Sequence, residues 1–193
     1  MICAGFGLLV FSPLFIVLAA WIKLDSEGPI FYRGVRVGLS GKPFRIFKFR
    51  SMVRNAETTG TMSTRQDDAR LTRSGRFIRN WKLDELAQLL NVFIGDMSMV
   101  GPRPEVQKFV DKFSDDERII LSIRPGITDY ASLKFHNEGE IIAASGIRDA
   151  DEAYEKLIRP EKLRLQVKYV KERNFWIDLK LIFQTLFRVF LKR

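Results

Sequence analysis

With 193 residues, 32 of them Lys or Arg against 23 Asp or Glu, the chain carries a formal charge of +9 and is long enough for one domain with its own core. A single cysteine, Cys3, excludes an internal disulfide and points to a reducing, cytosol-facing body. A single histidine, His136, leaves almost no material for a His-based zinc site or a serine triad, so any metal must be held by oxygen, as Mg2+ is.

From Ile2 to Ile22 no residue is charged, and 21 residues at about 1.5 Å each reach about 32 Å, enough to cross the hydrocarbon of a bilayer as a straight helix. Ser12-Pro13 sits near the centre of this run. Proline removes an intrahelical hydrogen bond, and the serine hydroxyl can satisfy the carbonyl so freed. The helix therefore either kinks and leaves by the face it entered, or tolerates the proline and spans. No basic region precedes the run and no small-x-small site follows it, which argues against a cleaved signal peptide. Lys23, Arg33, Arg36, Lys42, Arg45, Lys48, Arg50 and Arg54 crowd the residues after it. By the positive-inside rule the body is cytoplasmic.

Asp25-Ser26-Glu27-Gly28-Pro29 reads as a turn. Residues 30–37 and 43–50 read as two strands of a hairpin, with Phe44, Ile46, Lys48 and Arg50 on one side and Arg45, Phe47 and Phe49 on the other. Residues 55–69, rich in Thr, Ser and Asp, read as a mobile loop, either a connector or a lid over a neighbouring site. Helical periodicity returns with Phe77, Ile78 and Trp81, then with Leu86, Leu89, Leu90 and Phe93. Asp84 and Glu85 thus fall in the first turn of the second segment, where the helix dipole favours anions. Further helices are expected over 105–122, ended by Arg124-Pro125-Gly126, and over 150–173, whose one-sided stripe reads as structure. The last run, 175–193, is apolar over most of its circumference with four basic residues, a pattern that favours the membrane interface.

The chemistry-bearing stretch is Leu83-Asp84-Glu85-Leu86, followed by Gly101-Pro102-Arg103-Pro104. Adjacent carboxylates can hold a divalent cation or supply a nucleophile, and an arginine set between two prolines offers a rigid donor fork matched to phosphate oxygens. An Asp-Glu pair alone is ordinarily a solvated helix face. No GxxxxGK loop occurs, the glycines at 34, 38 and 41 do not fit a dinucleotide fingerprint, and nothing resembles a nucleic-acid motif.

Taken together, Ser12-Pro13-Leu14, Gly28-Pro29-Ile30-Phe31, Lys48-Phe49-Arg50-Ser51-Met52, Arg70-Leu71-Thr72, Gly75-Arg76-Phe77-Ile78-Arg79, Leu83-Asp84-Glu85-Leu86, Gly95-Asp96-Met97-Ser98, Gly101-Pro102-Arg103-Pro104 and Arg124-Pro125-Gly126-Ile127-Thr128 resemble the bacterial sugar transferases, the monotopic polyprenyl-phosphate phosphoglycosyl transferases. The resemblance keeps the order of the motifs over nearly the whole chain. It implies transfer of a sugar 1-phosphate from a nucleotide diphosphate sugar, usually a UDP-sugar, to undecaprenyl phosphate with release of UMP. It also implies an α/β, mainly helical (α+β) fold. A re-entrant membrane helix over 1–24, broken at Ser12-Pro13, would precede a catalytic domain over 25–193 with a short β-hairpin and interfacial amphipathic helices. The domain would face the cytoplasm on the inner membrane, in contact with membrane lipids and no nucleic acid.

By the same resemblance Asp84 and Glu85 are catalytic and hold Mg2+, Asp84 being the nucleophile toward the sugar-bearing phosphate. Arg103 grips a phosphate, Lys48 and Arg79 match basic positions near the site, and Asp96 belongs to the Gly-Asp-Met-Ser motif. Ala87 stands where many relatives have proline. The chain lacks the short basic stretch and Phe-Asp usual before the membrane helix, and Thr128-Asp129-Tyr130-Ala131-Ser132 replaces the frequent Thr-Gly-x-x-Gln, which leaves the sugar open. Two rival readings are a basic, membrane-tethered binding protein without catalysis and an enzyme in which the lipid phosphate attacks directly.

Overall fold

The computed structural model describes residues 2–56, 63–64 and 68–190, and within them the chain is mainly helical with three two-stranded sheets. Helix α1 (Ile2–Asp25) contains Pro13 and is assigned without interruption. Proline there has no N–H for the carbonyl of Leu9, and Ser12 Oγ donates to that carbonyl at 2.7 Å instead. Among the described residues α1 is the one helix long and apolar enough to cross a membrane. Its outer face presents Phe6, Leu9, Ile16, Val17 and Leu24. Its inner face lies on the body, with Ala4 packed among Leu89, Val92 and Met97 and with Leu18 and Ile22 packed among Phe49, Ile78 and Ala87.

The turn after α1 is a clamp. Asp25 Oδ2 accepts from both the backbone and the hydroxyl of Ser74 at 2.8 Å, while Arg50 donates to the carbonyls of Ser26 and Glu27 just past the helix at 2.7 Å and to that of Ile22 in its last turn at 3.3 Å. Gly28 takes φ +124, a conformation L side chains rarely adopt, and a Cβ there would also stand 2.0 Å from Arg50 Nη1 and displace it.

The expected hairpin is present but interrupted. Strand β1 (Phe31–Tyr32) pairs antiparallel with β4 (Lys48–Phe49), and β2 (Val35–Val37) with β3 (Pro43–Arg45), in a register that continues from Val37↔Pro43 to Phe31↔Phe49. Between the pairs, Ile46 N bonds Gly34 O at 3.0 Å. Of the 55–69 loop, read as a connector or lid, residues 57–62 and 65–67 lie outside the described residues. Helix α2 (Arg73–Asn80) starts at Thr72, whose hydroxyl accepts from Gly75 N at 3.0 Å. A 3-10 turn, Leu83–Ala87, leads into α3 (Gln88–Ile94), which ends at Gly95 in the left-handed region. Asn91 on α3 binds the hairpin back: its Oδ1 accepts from Phe47 N at 2.7 Å and its Nδ2 donates to Arg45 O at 2.9 Å.

Strand β5 (Ser98–Val100) and β6 (Gly126–Thr128) are parallel. The Gly-Pro-Arg-Pro and Arg-Pro-Gly motifs meet here back to back, since a Cβ on Gly126 would lie 2.0 Å from Gly101 N. That contact fixes where Pro102-Arg103-Pro104 leaves the sheet.

Two expected helices are divided. In place of one helix over 105–122 there are α4 (Gln107–Val110) and a 3-10 turn, Glu117–Ser122. Ser114 and Glu117 form a capping box between them, Ser114 N donating to Glu117 Oε2 at 2.8 Å and Glu117 N to Ser114 Oγ at 3.4 Å, so the chain restarts. Helices α5 (Tyr130–Lys134) and α6 (Glu138–Ala144) follow. The expected helix over 150–173 is α7 (Ala150–Leu157) and α8 (Arg159–Glu172), divided where Pro160, lacking an N–H, opens the second. Helix α9 (Phe175–Phe190) buries Leu181 and exposes Phe175, Trp176, Phe183 and Phe187.

Candidate active site

Elements distant in sequence converge on the two carboxylates. Lys82 takes a left-handed conformation (φ 55, ψ 21) between α2 and the 3-10 turn. A non-glycine residue pays about 1 kcal/mol or more for that conformation, and such strain gathers at sites where a turn must be aimed. Asp84 and Glu85 follow on the turn, β4 presents Lys48, and the segment after β5 presents Arg103.

The contacts divide the two acids. Glu85 is gripped bidentately by Arg103, Nη1 to Oε2 at 3.0 Å and Nη2 to Oε1, and its Oε1 also accepts from Lys48 Nζ at 3.1 Å. Asp84 Oδ2 lies 3.7 Å from the same Lys48 ammonium, too far for a hydrogen bond. Side chains here keep 10–28% of their surface exposed, enough for a ligand to reach them from one side. Burial would raise the Glu85 carboxyl, but Arg103 and Lys48 outweigh it and hold the acid ionised, well below its usual range. Burial lowers the Lys48 ammonium, against the pull of Glu85 and with the help of Arg103 and Arg79. Glu85 raises the already basic Arg103 further. The result is a fixed cationic rim around Glu85 beside a less engaged carboxylate on Asp84.

Lys48, Asp84, Glu85 and Arg103 are thus brought together. Arg79, half-buried on α2, is near enough for its charge to act on Lys48. Asp96 follows Gly95 at the end of α3, where its Oδ2 accepts from Asn91 at 3.3 Å. Asn91, which ties the hairpin to α3 at Arg45 and Phe47, escapes sequence reasoning. Its one signal is an amide inside the apolar run Leu89-Leu90-Asn91-Val92.

Oxygen donors suited to Mg2+ are present in the dyad. Among the described residues no cluster of three or more His, Cys, Asp or Glu gathers. In this arrangement both Glu85 oxygens are taken by Arg103 and Lys48, so Asp84 is the carboxylate open to a hard cation such as Mg2+, with water and substrate phosphate as its other ligands and Glu85 joining only on exchange of a contact.

Residues 1–192 match the family described as bacterial sugar transferase. The chain is 37% identical over 180 residues to a UDP-N-acetylgalactosamine-undecaprenyl-phosphate N-acetylgalactosaminephosphotransferase of Aeromonas hydrophila, covering 92% of this chain and 39% of that protein. It is 34% identical over 190 residues to a UDP-glucose:undecaprenyl-phosphate glucose-1-phosphate transferase of Escherichia coli (strain K12), covering 96% and 38%. A protein of the same description from Caulobacter vibrioides is 36% identical over 180 residues, covering 92% and 62%. The chain therefore spans about two fifths of the length of the first two relatives.

Proposed function

The chain belongs to the bacterial sugar transferase family, and we propose that it transfers a sugar 1-phosphate from a UDP-sugar to polyprenyl phosphate, releasing UMP and initiating a surface glycoconjugate. The observation that carries this reading is the asymmetry of the dyad: Glu85 is committed to Arg103 and Lys48, while Asp84 beside it is left for chemistry.

In the first displacement an Asp84 carboxylate oxygen attacks the sugar-bearing phosphorus of the diphosphate. The bond from that phosphorus to the bridging oxygen breaks, and UMP leaves with the electron pair. In the second, an oxygen of the lipid phosphate attacks the same phosphorus, Asp84 departs as carboxylate, and polyprenyl diphosphate sugar is formed. Glu85 keeps the Arg103 fork and the Lys48 ammonium in place, and these cations face the negative charge that an attacking carboxylate must approach. Mg2+ would be held by Asp84, and by Glu85 once it exchanges its Lys48 contact for the metal, and would neutralise charge on the diphosphate oxygens. Splitting the transfer lets the soluble donor and the lipid acceptor use one site in turn. Screening UDP-sugars against a polyprenyl phosphate in detergent or vesicles tests this. UMP should appear with at least one sugar, stop on chelation with EDTA and resume with Mg2+, and its absence with every sugar would refute the reading.

The chain is membrane-associated through α1, and the proposed topology is re-entrant, with the body on the cytoplasmic face of the inner membrane. Packing supports it. Ala4 at one end of α1 and Ile22 at the other both lie on the body, and Ala4 shares a cluster with Ile46 and Met97, whose chain neighbours Arg45 and Asp96 are ionisable. A straight crossing would draw those charges into the bilayer, at about 2.5–3.5 kcal/mol each near its centre. Replacing Ser12 by Ala and Pro13 by Leu removes the Leu9 repair, favours a straight segment and is expected to lower activity severalfold. Cysteine labelling from either side gives the topology directly. An N-terminal tag reached only from outside in the native sequence would contradict the re-entrant form.

A further inference from the structure

Two residues beyond Arg103 the chain enters a second ionic cluster, outside the dyad. Lys162 on α8 has a side chain only 6% exposed, with Nζ 2.8 Å from a Glu105 carboxylate oxygen and 3.6 Å from Glu138. Tyr154 on α7 donates its hydroxyl to the same Glu105 oxygen at 2.6 Å and accepts from Lys162 Nζ at 3.1 Å. One turn along α8 from Lys162, the buried Gln166 donates its amide to the carbonyl of Arg103 itself at 3.3 Å.

The segment so held lies outside any strand or helix. Pro102 and Pro104 have no N–H, so Pro102-Arg103-Pro104 cannot join a strand or helix ladder. Carbonyls along it are taken singly by other elements: Gly126 N bonds Pro102 O at 3.0 Å, Gln166 bonds Arg103 O, and just beyond it Val37 N bonds Glu105 O at 2.9 Å. Burial works against both charged partners. It lowers Lys162, but Glu105 and Glu138 outweigh it and leave the ammonium well above its usual range. It raises Glu105, but Lys162 and Tyr154 outweigh it and leave the carboxyl below.

Stability is a poor account of such a cluster, because apolar residues of similar volume commonly replace a buried ion pair with no loss. Its position gives a better one. We propose that Lys162, Glu105, Tyr154 and Gln166 are positioning residues for the transfer: α8 anchors the two-proline segment so that the Arg103 fork meets Glu85 in one geometry. The proposal rests on the transferase reading for its kinetic test only.

Lys162→Met, Glu105→Leu and Tyr154→Phe together remove the ionic part of the network, leaving Gln166 in place and, of the former partners, only the 32% exposed Glu138 without its ammonium. Expected are a thermal midpoint lower by no more than the several °C that the Arg103–Glu85 contact carries and a kcat lower by about 10- to 100-fold, the cost of misplacing a catalytic cation by about an ångström. In an Arg103→Lys background the same three substitutions should lower kcat less than about 3-fold, because the group they position is already impaired. Equal losses in both backgrounds, or native kcat in the triple variant, would overturn the proposal. Should the triple variant not fold, Gln166→Leu carries the same cycle. A native protein inactive with every UDP-sugar would sink the transferase reading alone. The coupling would then be read in heat: Arg103→Lys should lower the midpoint by several °C in the native background and by less than about 1 °C in the triple variant, and equal shifts in both would overturn it.

Discussion

Asp84→Asn is expected to abolish turnover, lowering kcat by at least about 10³-fold, while the thermal midpoint stays near that of the native protein. The amide keeps the shape of the side chain and its place on the 3-10 turn but has no anionic oxygen to attack phosphorus. Little stability goes with it. Asp84 makes one contact to Lys48, at 3.7 Å, and Lys48 retains Glu85 at 3.1 Å. UMP release with each substrate, together with a melting curve, checks both halves of the expectation. Undiminished release would remove Asp84 from the reaction, and a collapsed melting curve would make it a structural residue.

Glu85→Gln is expected to harm both activity and fold. The amide cannot neutralise Arg103 and Lys48, which then face each other across a half-buried site, and one of its two terminal atoms is a donor where both oxygens now accept. Breaking a fully buried pair costs about 3–5 kcal/mol. Here the partners keep 20–28% exposure, so about 1–3 kcal/mol is expected, with a loss in kcat of about 10²-fold. Denaturant unfolding and steady-state kinetics measure the two effects. The contrast between the neighbouring acids is the signature: loss of activity alone at Asp84, loss of activity and stability at Glu85.

Much of this site is legible in the sequence because its chemistry sits in short, rigid motifs. Two prolines announce a fixed arginine, and two adjacent acids mark the place where Lys48 and Arg103 converge; the Ser-Pro pair, read as a break, instead lies inside a helix that runs on through it. Ser12 indeed bonds the carbonyl that Pro13 frees. What periodicity misjudges is continuity. Apolar spacing joins Phe109 to Ile120 and Tyr154 to Tyr169 across points where a capping box and Pro160 restart the chain, because the apolar stripe continues through the breaks. Both local signals, Ser-x-x-Glu and a proline after a charged helix, are present in the sequence.

Other features depend on contacts far apart in sequence. Arg50 reads as one more basic residue after a membrane segment, yet it closes the end of α1. Lys162 reads as part of a charged helix face, yet it is buried against Glu105. Asn91 reads as a polar interruption, yet it joins α3 to the hairpin that carries Lys48. Charge and amide groups acquire such roles only when folding brings a distant partner to them, and neither spacing nor composition encodes that partner.

The nucleophilic role of Asp84 is open to one direct measurement. Incubation of the purified protein with its UDP-sugar alone, followed by intact-mass and peptide mass spectrometry, should show the addition of one phosphosugar on the peptide containing Asp84. The adduct should disappear when polyprenyl phosphate is added and should not form on Asp84→Asn. No adduct with donor alone, together with UMP released only when the lipid acceptor is also present, would contradict the covalent route and assign the attack to the lipid phosphate itself.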